Sequence, residues 1–292
     1  MAPGLDLLPC PGVVSCDLAV GTDLAGSVRI PASFCGVWSL RPTCGVLSLD
    51  GVLPDVHIPD FVRESSFTVG PMGTDVAALR AFMDVVAPSQ DTPPSSDTEF
   101  TSVALTSNFA SVATDSRIPA HLEVRRVQCI GLVACPPAGV PDSSWFGTLQ
   151  DQVGPHVEEQ TDAMVAPLLD PFSPQLLREI NGAHACLSST WMPGVRRPLD
   201  AHVAEAMEVR NEVRAIIDGI LDKHDVWVLP VCAVQPFAHN PSHLHVDVNG
   251  EQLSYWRALL PYVLPLTLTG HPVVTMPTVG WWRMAVGEMI AS

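Results

Sequence analysis

A run of small residues ending in a hydroxyl is the segment of this sequence best suited to chemistry. It reads Gly21-Thr22-Asp23-Leu24-Ala25-Gly26-Ser27-Val28-Arg29-Ile30-Pro31-Ala32-Ser33-Phe34-Cys35-Gly36-Val37. Leu18-Ala19-Val20 reads as a short buried strand that enters the turn Gly21-Thr22-Asp23. Small residues let a substrate carbonyl come close to the backbone. Successive N–H groups in such a turn can gather around an oxyanion, and a serine delivered there can act as a nucleophile. Asp23 and Arg29 carry opposite charges and flank Ser27, so they can pair beneath the turn and hold its shape. Taken from the residues alone, a plain turn with Ser27 as a capping hydroxyl is the preferred alternative, and it stays open at this point.

Other clusters are less promising. His239, His243 and His245 fall within Ala-His-Asn-Pro-Ser-His-Leu-His, with no Cys or Glu at zinc-motif spacing. A polar loop before a hairpin is the expected reading, and no metal and no cofactor are expected. Trp281-Trp282-Arg283 could stack on a ligand, but an irregular tail over 281–292 is expected instead. The eight cysteines form no C-x-x-C pair and mostly sit among apolar residues, which points to reduced thiols and a reducing compartment. The only lysine is Lys223. It stands at the end of an expected helix, where a cation ordinarily faces the helix dipole.

The formal net charge of -16 argues against nucleic acid or an anionic membrane as a partner. With 47% hydrophobic and 16% charged residues, the chain can bury a substantial core. Residues 258–280 are the most apolar stretch. Four prolines, Gly270 and His271 interrupt them, a pattern that suits buried strands and turns better than a membrane span. Met1-Ala2-Pro3-Gly4-Leu5-Asp6 lacks the basic start of a signal peptide, so a cytoplasmic location is expected.

The elements that must position the serine follow from periodicity. Val76, Leu79, Phe82, Met83 and Val86 predict a helix over 74–87, capped by Thr74 or Asp75. Residues 88–98 read as a surface loop and 135–150 as irregular. A strand is expected within 123–134, and helices over 156–170, 174–190 and 199–223. Asp225–Pro230 reads as a buried strand. Asn249-Gly250 predicts a type I′ hairpin within 243–253. A helix at 253–260 and a strand at Val273–Pro277 complete the series. Strands interleaved with helices predict an α/β fold with a mixed β-sheet core flanked by helices.

The segment around Ser27 resembles the signature of the amidase-signature family, approximately G-T-D-x-G-G-S-[IV]-R-x-P-A-x-x-C-G-[VI]. Ala25 stands where glycine is usual, a change expected to be tolerated. Leu40-Arg41-Pro42-Thr43-Cys44-Gly45-Val46 is similar to the family's K/R-P-T-x-G segment, and Thr68-Val69-Gly70-Pro71-Met72 to its V-G-P-M/L segment. Asp225–Val231 resembles its late buried strand, and Leu268–Pro277 its closing N-x-T-G-x-P segment. The likeness is strong over 17–87 and 199–280 and weak over 88–198. It implies one partial amidase domain over 1–292, with the amidase-signature fold incomplete at its N-terminus.

The resemblance also implies amide C–N hydrolysis of a small-molecule substrate by a serine nucleophile. In the family a second serine, on a cis peptide bond, relays the proton to a lysine. Ser27 matches the nucleophile, the backbone of Leu24, Ala25 and Gly26 the oxyanion hole, and Asp23 with Arg29 the supporting pair. The relay loop and the lysine would fall at or before Met1. Neither Ser15 nor Lys223 matches them. An N-terminally truncated member, inactive or impaired as it stands, is therefore expected. The alternatives are a shortened pseudoenzyme, a non-catalytic binding scaffold, or a glutaminase-like subunit of an amidotransferase. Loss of the upstream part is expected to favour homo-oligomers or poor solubility.

Overall fold

The computed structural model describes residues 16–53, 56–87, 102–106, 109, 112–115, 130–133 and 170–276. The expected loop at 88–98, the irregular stretch 135–150, the tail at 281–292 and Ser15 lie outside them. So does the expected helix at 156–170, apart from its last residue.

The described strands are β1 (Leu18–Asp23), β2 (Trp38–Arg41), β3 (Thr68–Gly73), β4 (Val103–Leu105), β5 (Ile130–Val133), β6 (Val226–Pro230), β7 (Val246–Val248), β8 (Glu251–Leu253) and β9 (Val273–Met276). Seven of them form one mixed sheet in the order β1-β3-β2-β9-β5-β6-β4. Within it β4 and β6 are parallel; every other pairing is antiparallel. The expected mixed-sheet α/β class is the observed one.

β6 shows why a central strand reads as a continuous apolar run. Its alternate residues Trp227 and Leu229 enter one core, and Val226 and Val228 enter the other. A strand covered on both faces gains nothing from a polar face. The smaller core lies under α3 (Val76–Val86), which buries Val76, Leu79 and Met83. The larger core lies under four helices: α4 (Pro174–Ser189), α5 (Asp200–Leu221), α6 (Tyr255–Leu259) and α7 (Leu264–Thr269). Asp75 caps α3 by accepting from the Ala78 amide at 2.8 Å. Ser173 caps α4 in the same way, at 3.1 Å from Leu176 N, with Pro174 in the first turn, where no N–H is needed. The hairpin of β7 and β8 turns at Asn249 and Gly250. Their φ values of 56° and 87° are those a type I′ turn requires.

One helix runs against the sequence reading, and two more stand where it assigns nothing. α1 (Arg29–Cys35) and the single turn α2 (Asp60–Arg63) fall where the sequence reading marks no element. α7 lies inside 258–280, where strands and turns are expected. Every residue of α7 is buried, so no polar face marks its period. Pro265 sits in its first turn, where proline removes no hydrogen bond.

Candidate active site

Ser27 stands in the turn between β1 and α1, one end of which is fixed by the sheet and the other by the helix. The side chain is partly exposed, and no described residue hydrogen-bonds its hydroxyl. Gly26 precedes it with φ 92°, a left-handed conformation that disfavours other residues. A Cβ there would lie 2.8 Å from Ile30 Cδ1 and 3.0 Å from Val263 Cγ2. Ala25 keeps a negative φ, so the alanine found where the family has glycine fits its backbone without strain.

Asp23 organises the turn from below. Its Oδ1 accepts from Gly26 N at 3.0 Å and its Oδ2 from Val28 N at 3.3 Å. Arg29 donates to both oxygens, from Nη2 to Oδ1 at 2.9 Å and from Nε to Oδ2 at 3.0 Å. Both side chains are buried, so this charge-assisted pair is held out of water. Burial by itself would raise the Asp23 pKa. The charge and hydrogen bonds of Arg29, with Arg41 and the Gly26 amide, outweigh it and hold the carboxyl well below the usual range. Burial pushes the Arg29 guanidinium below its ordinary value, with Asp23 opposing. Arg29 also donates to Val263 O at 3.0 Å and to Thr267 Oγ1, which ties the turn to α7.

The three backbone positions expected to bind an oxyanion are not equivalent. The Gly26 amide is committed to Asp23. The amides of Leu24 and Ala25, and that of Ser27 itself, have no hydrogen-bond partner among the described residues.

Two residues of this constellation were not legible as such. Arg41, at the end of β2, is fully buried, with Nε 3.6 Å from Asp23 Oδ1. It donates to the carbonyl oxygens of His271 at 2.9 Å, Ser66 at 3.0 Å and Thr267 at 3.3 Å. A lone arginine in the apolar run Trp38-Ser39-Leu40 was the available signal. His184, on α4, places Nε2 2.8 Å from Leu24 O. It lies 160 residues from the turn, and nothing in the local pattern points to that contact.

The remaining candidates do not join the site. Lys223 is exposed after the end of α5. His243 stacks on Tyr255 with ring centroids 4.5 Å apart, and His239 and His245 are exposed loop residues. Among the described residues no group of three or more His, Cys, Asp or Glu side chains could hold a metal. No described helix is long and apolar enough to cross a membrane.

Comparison with known proteins agrees with this geometry. Residues 12–126 match the Amidase family model. The chain is 23% identical over 295 residues to a glutamyl-tRNA(Gln) amidotransferase subunit of Clostridium botulinum (strain Alaska E43 / Type E3), covering 89% of this chain and 56% of that protein. It is 51% identical over 53 residues to indoleacetamide hydrolase of Pseudomonas syringae pv. syringae, covering 18% of this chain and 12% of the relative. The fold superposes on a bacterial aryl acylamidase of the amidase-signature enzymes with TM-score 0.58 and 15% identity, over 89% of this chain and 58% of that one. The class is defined over part of the chain: residues 12–126, which hold the serine turn, match the Amidase family, and the mixed α/β fold is similar to that of an amidase-signature enzyme. It spans about half the length of the amidotransferase protein it matches over most of its own length.

Proposed function

We propose that this chain carries the nucleophile half of an amide C–N hydrolase site on part of a single amidase domain. Ser27 attacks the carbonyl of a small-molecule amide, and the Leu24 and Ala25 amides hold the developing oxyanion. Asp23, Arg29 and Arg41 keep the turn in shape. The observation that carries this reading is the combination of a partly exposed, unpaired hydroxyl with two unpaired amides in the turn that leads to it.

A serine hydroxyl needs a base to become a good nucleophile at neutral pH. The sequence has one lysine, Lys223, far along the chain from the turn and exposed. Turnover by these 292 residues alone is therefore expected to be slow. An oxyanion site without its base still retains roughly 10³-fold catalysis over water, so a fluorophosphonate is expected to phosphonylate the serine slowly, with loss of fluoride.

The test is labelling with a fluorophosphonate, mapped by mass spectrometry. Covalent modification at Ser27, absent in Ser27→Ala, supports the reading. A folded sample left unlabelled would favour a non-catalytic scaffold. A second reading, the glutaminase-like component of an amidotransferase, is favoured by the length of the likeness to the clostridial glutamyl-tRNA(Gln) amidotransferase protein. Glutamine hydrolysis that rises on adding a synthetase-like partner would select it.

A further inference from the structure

We propose that His184 is a positioning residue for the oxyanion turn, aiming the Ala25 amide by holding the carbonyl on the other side of the same peptide unit. This rests on the reading of Ser27 given above and adds to it a residue from a part of the chain outside the family-model match, which ends at residue 126.

No cis peptide bond is present among the described residues, so the Leu24 carbonyl and the Ala25 N–H point in opposite directions across one plane. Fixing the oxygen fixes the hydrogen. His184 Nε2 lies 2.8 Å from Leu24 O. A carbonyl oxygen can only accept, so Nε2 carries the proton and donates it. The imidazole is thus set in one tautomer, and the Ala25 N–H faces away from α4. That N–H has no partner among the described residues.

The contact is built to be stiff. His184 is partly buried on a 16-residue helix whose residues Ile180, Ala183 and Leu187 are locked in the main core. On the other side of the turn, Gly26 and Val28 are held by Asp23. The turn is clamped at both ends, and the peptide between the clamps has its rotation removed. Donors that need no reorganisation as charge develops are the ones that lower a barrier.

A merely structural histidine would affect folding and reversible binding. A positioning residue affects the step in which the oxyanion forms. The experiment compares His184→Met with His184→Gln in the full chain. The two side chains are close in size, but only glutamine can donate to Leu24 O. Fluorophosphonate labelling of Ser27 is resolved into reversible affinity and the rate of bond formation. The expected result is a loss of about 10- to 100-fold in that rate for His184→Met. Affinity stays unchanged, and His184→Gln recovers most of the rate. Equal rates in wild type and His184→Met would overturn the proposal while leaving the Ser27 reading intact. Absence of labelling in the wild type itself would instead remove that reading. If His184→Met does not fold, the ¹⁵N shifts of His184 in the wild type decide. An Nε2–H tautomer retained in the labelled protein, with the Ala25 amide moved downfield, supports the proposal; an Nδ1–H tautomer contradicts it.

Discussion

Asp23 is the residue on which the local architecture turns. One buried carboxylate faces two buried guanidinium groups and two backbone amides. Removing its charge leaves Arg29 and Arg41 without a counter-ion in a site that excludes water. Asp23→Asn is expected to cost about 3–5 kcal/mol, because breaking a buried pair strands a charge. Urea unfolding followed by circular dichroism checks this; a loss under about 1 kcal/mol would contradict the account. The pH sign follows from the same group. Its folded pKa is depressed, so its contribution is present above the ordinary carboxylate value and is lost as pH falls through the lower folded one. Ser27 and Asp23 were both legible as chemistry-bearing residues, because hydroxyl, carboxylate and guanidinium all fall between positions 23 and 29. The unequal roles of the three turn amides were not. Which amide Asp23 takes depends on the fold of the turn, not on residue type.

At the scale of elements, close approach of two strands is the feature most open to test. A Cβ on Gly70 would lie 2.1 Å from the Leu40 carbonyl oxygen, so β3 accepts no side chain there. Gly70→Ala is expected to destabilise the protein by about 4 kcal/mol or to prevent folding, since the clash is with backbone. A thermal melt within a few degrees of wild type would refute this. The amphipathic helices α3, α4 and α5 and the hairpin were read from the sequence because each has a polar face or a turn dipeptide to mark it. β2, β3, α1 and α7 were not. α7 and β3 are buried almost throughout, and α1 is seven residues with Pro31 near its start. A burial pattern that never alternates has no period to detect.

For the whole molecule, two buried or partly buried histidines set a pH response. Burial lowers the His184 pKa, with the Leu24 carbonyl opposing. Burial lowers that of His271 too, with Asp218 opposing. His271 Nε2 lies 2.9 Å from Asp218 Oδ1 and Nδ1 lies 2.7 Å from Thr269 Oγ1, so it joins α5 to the segment between α7 and β9. The unfolded chain therefore binds protons first as pH falls below about 6.5. Stability is full above that value and is lost on descending through the lower folded pKa values. Chemical denaturation from about pH 7 to about pH 5 is expected to show this decline, with a shallower slope in His271→Gln. A slope unchanged in that variant would contradict the assignment to His271. The α/β class was legible from the alternation of strands and helices. The arrival of Arg41 and His184 at the turn that holds Asp23 and Arg29 was not, because it is produced by strand order and helix packing.

The central claim is that the turn ending at Ser27 presents amide hydrogens to a tetrahedral oxyanion. A boronic acid tests it without relying on turnover, since boron becomes tetrahedral and anionic when a serine adds to it. The measurement is ¹¹B and ¹H–¹⁵N NMR of the full chain with phenylboronic acid. The account predicts tetrahedral boron and downfield movement of the Leu24 and Ala25 amides, both absent in Ser27→Ala. Boron that stays trigonal, or a tetrahedral adduct that leaves those two amides in place, would contradict it.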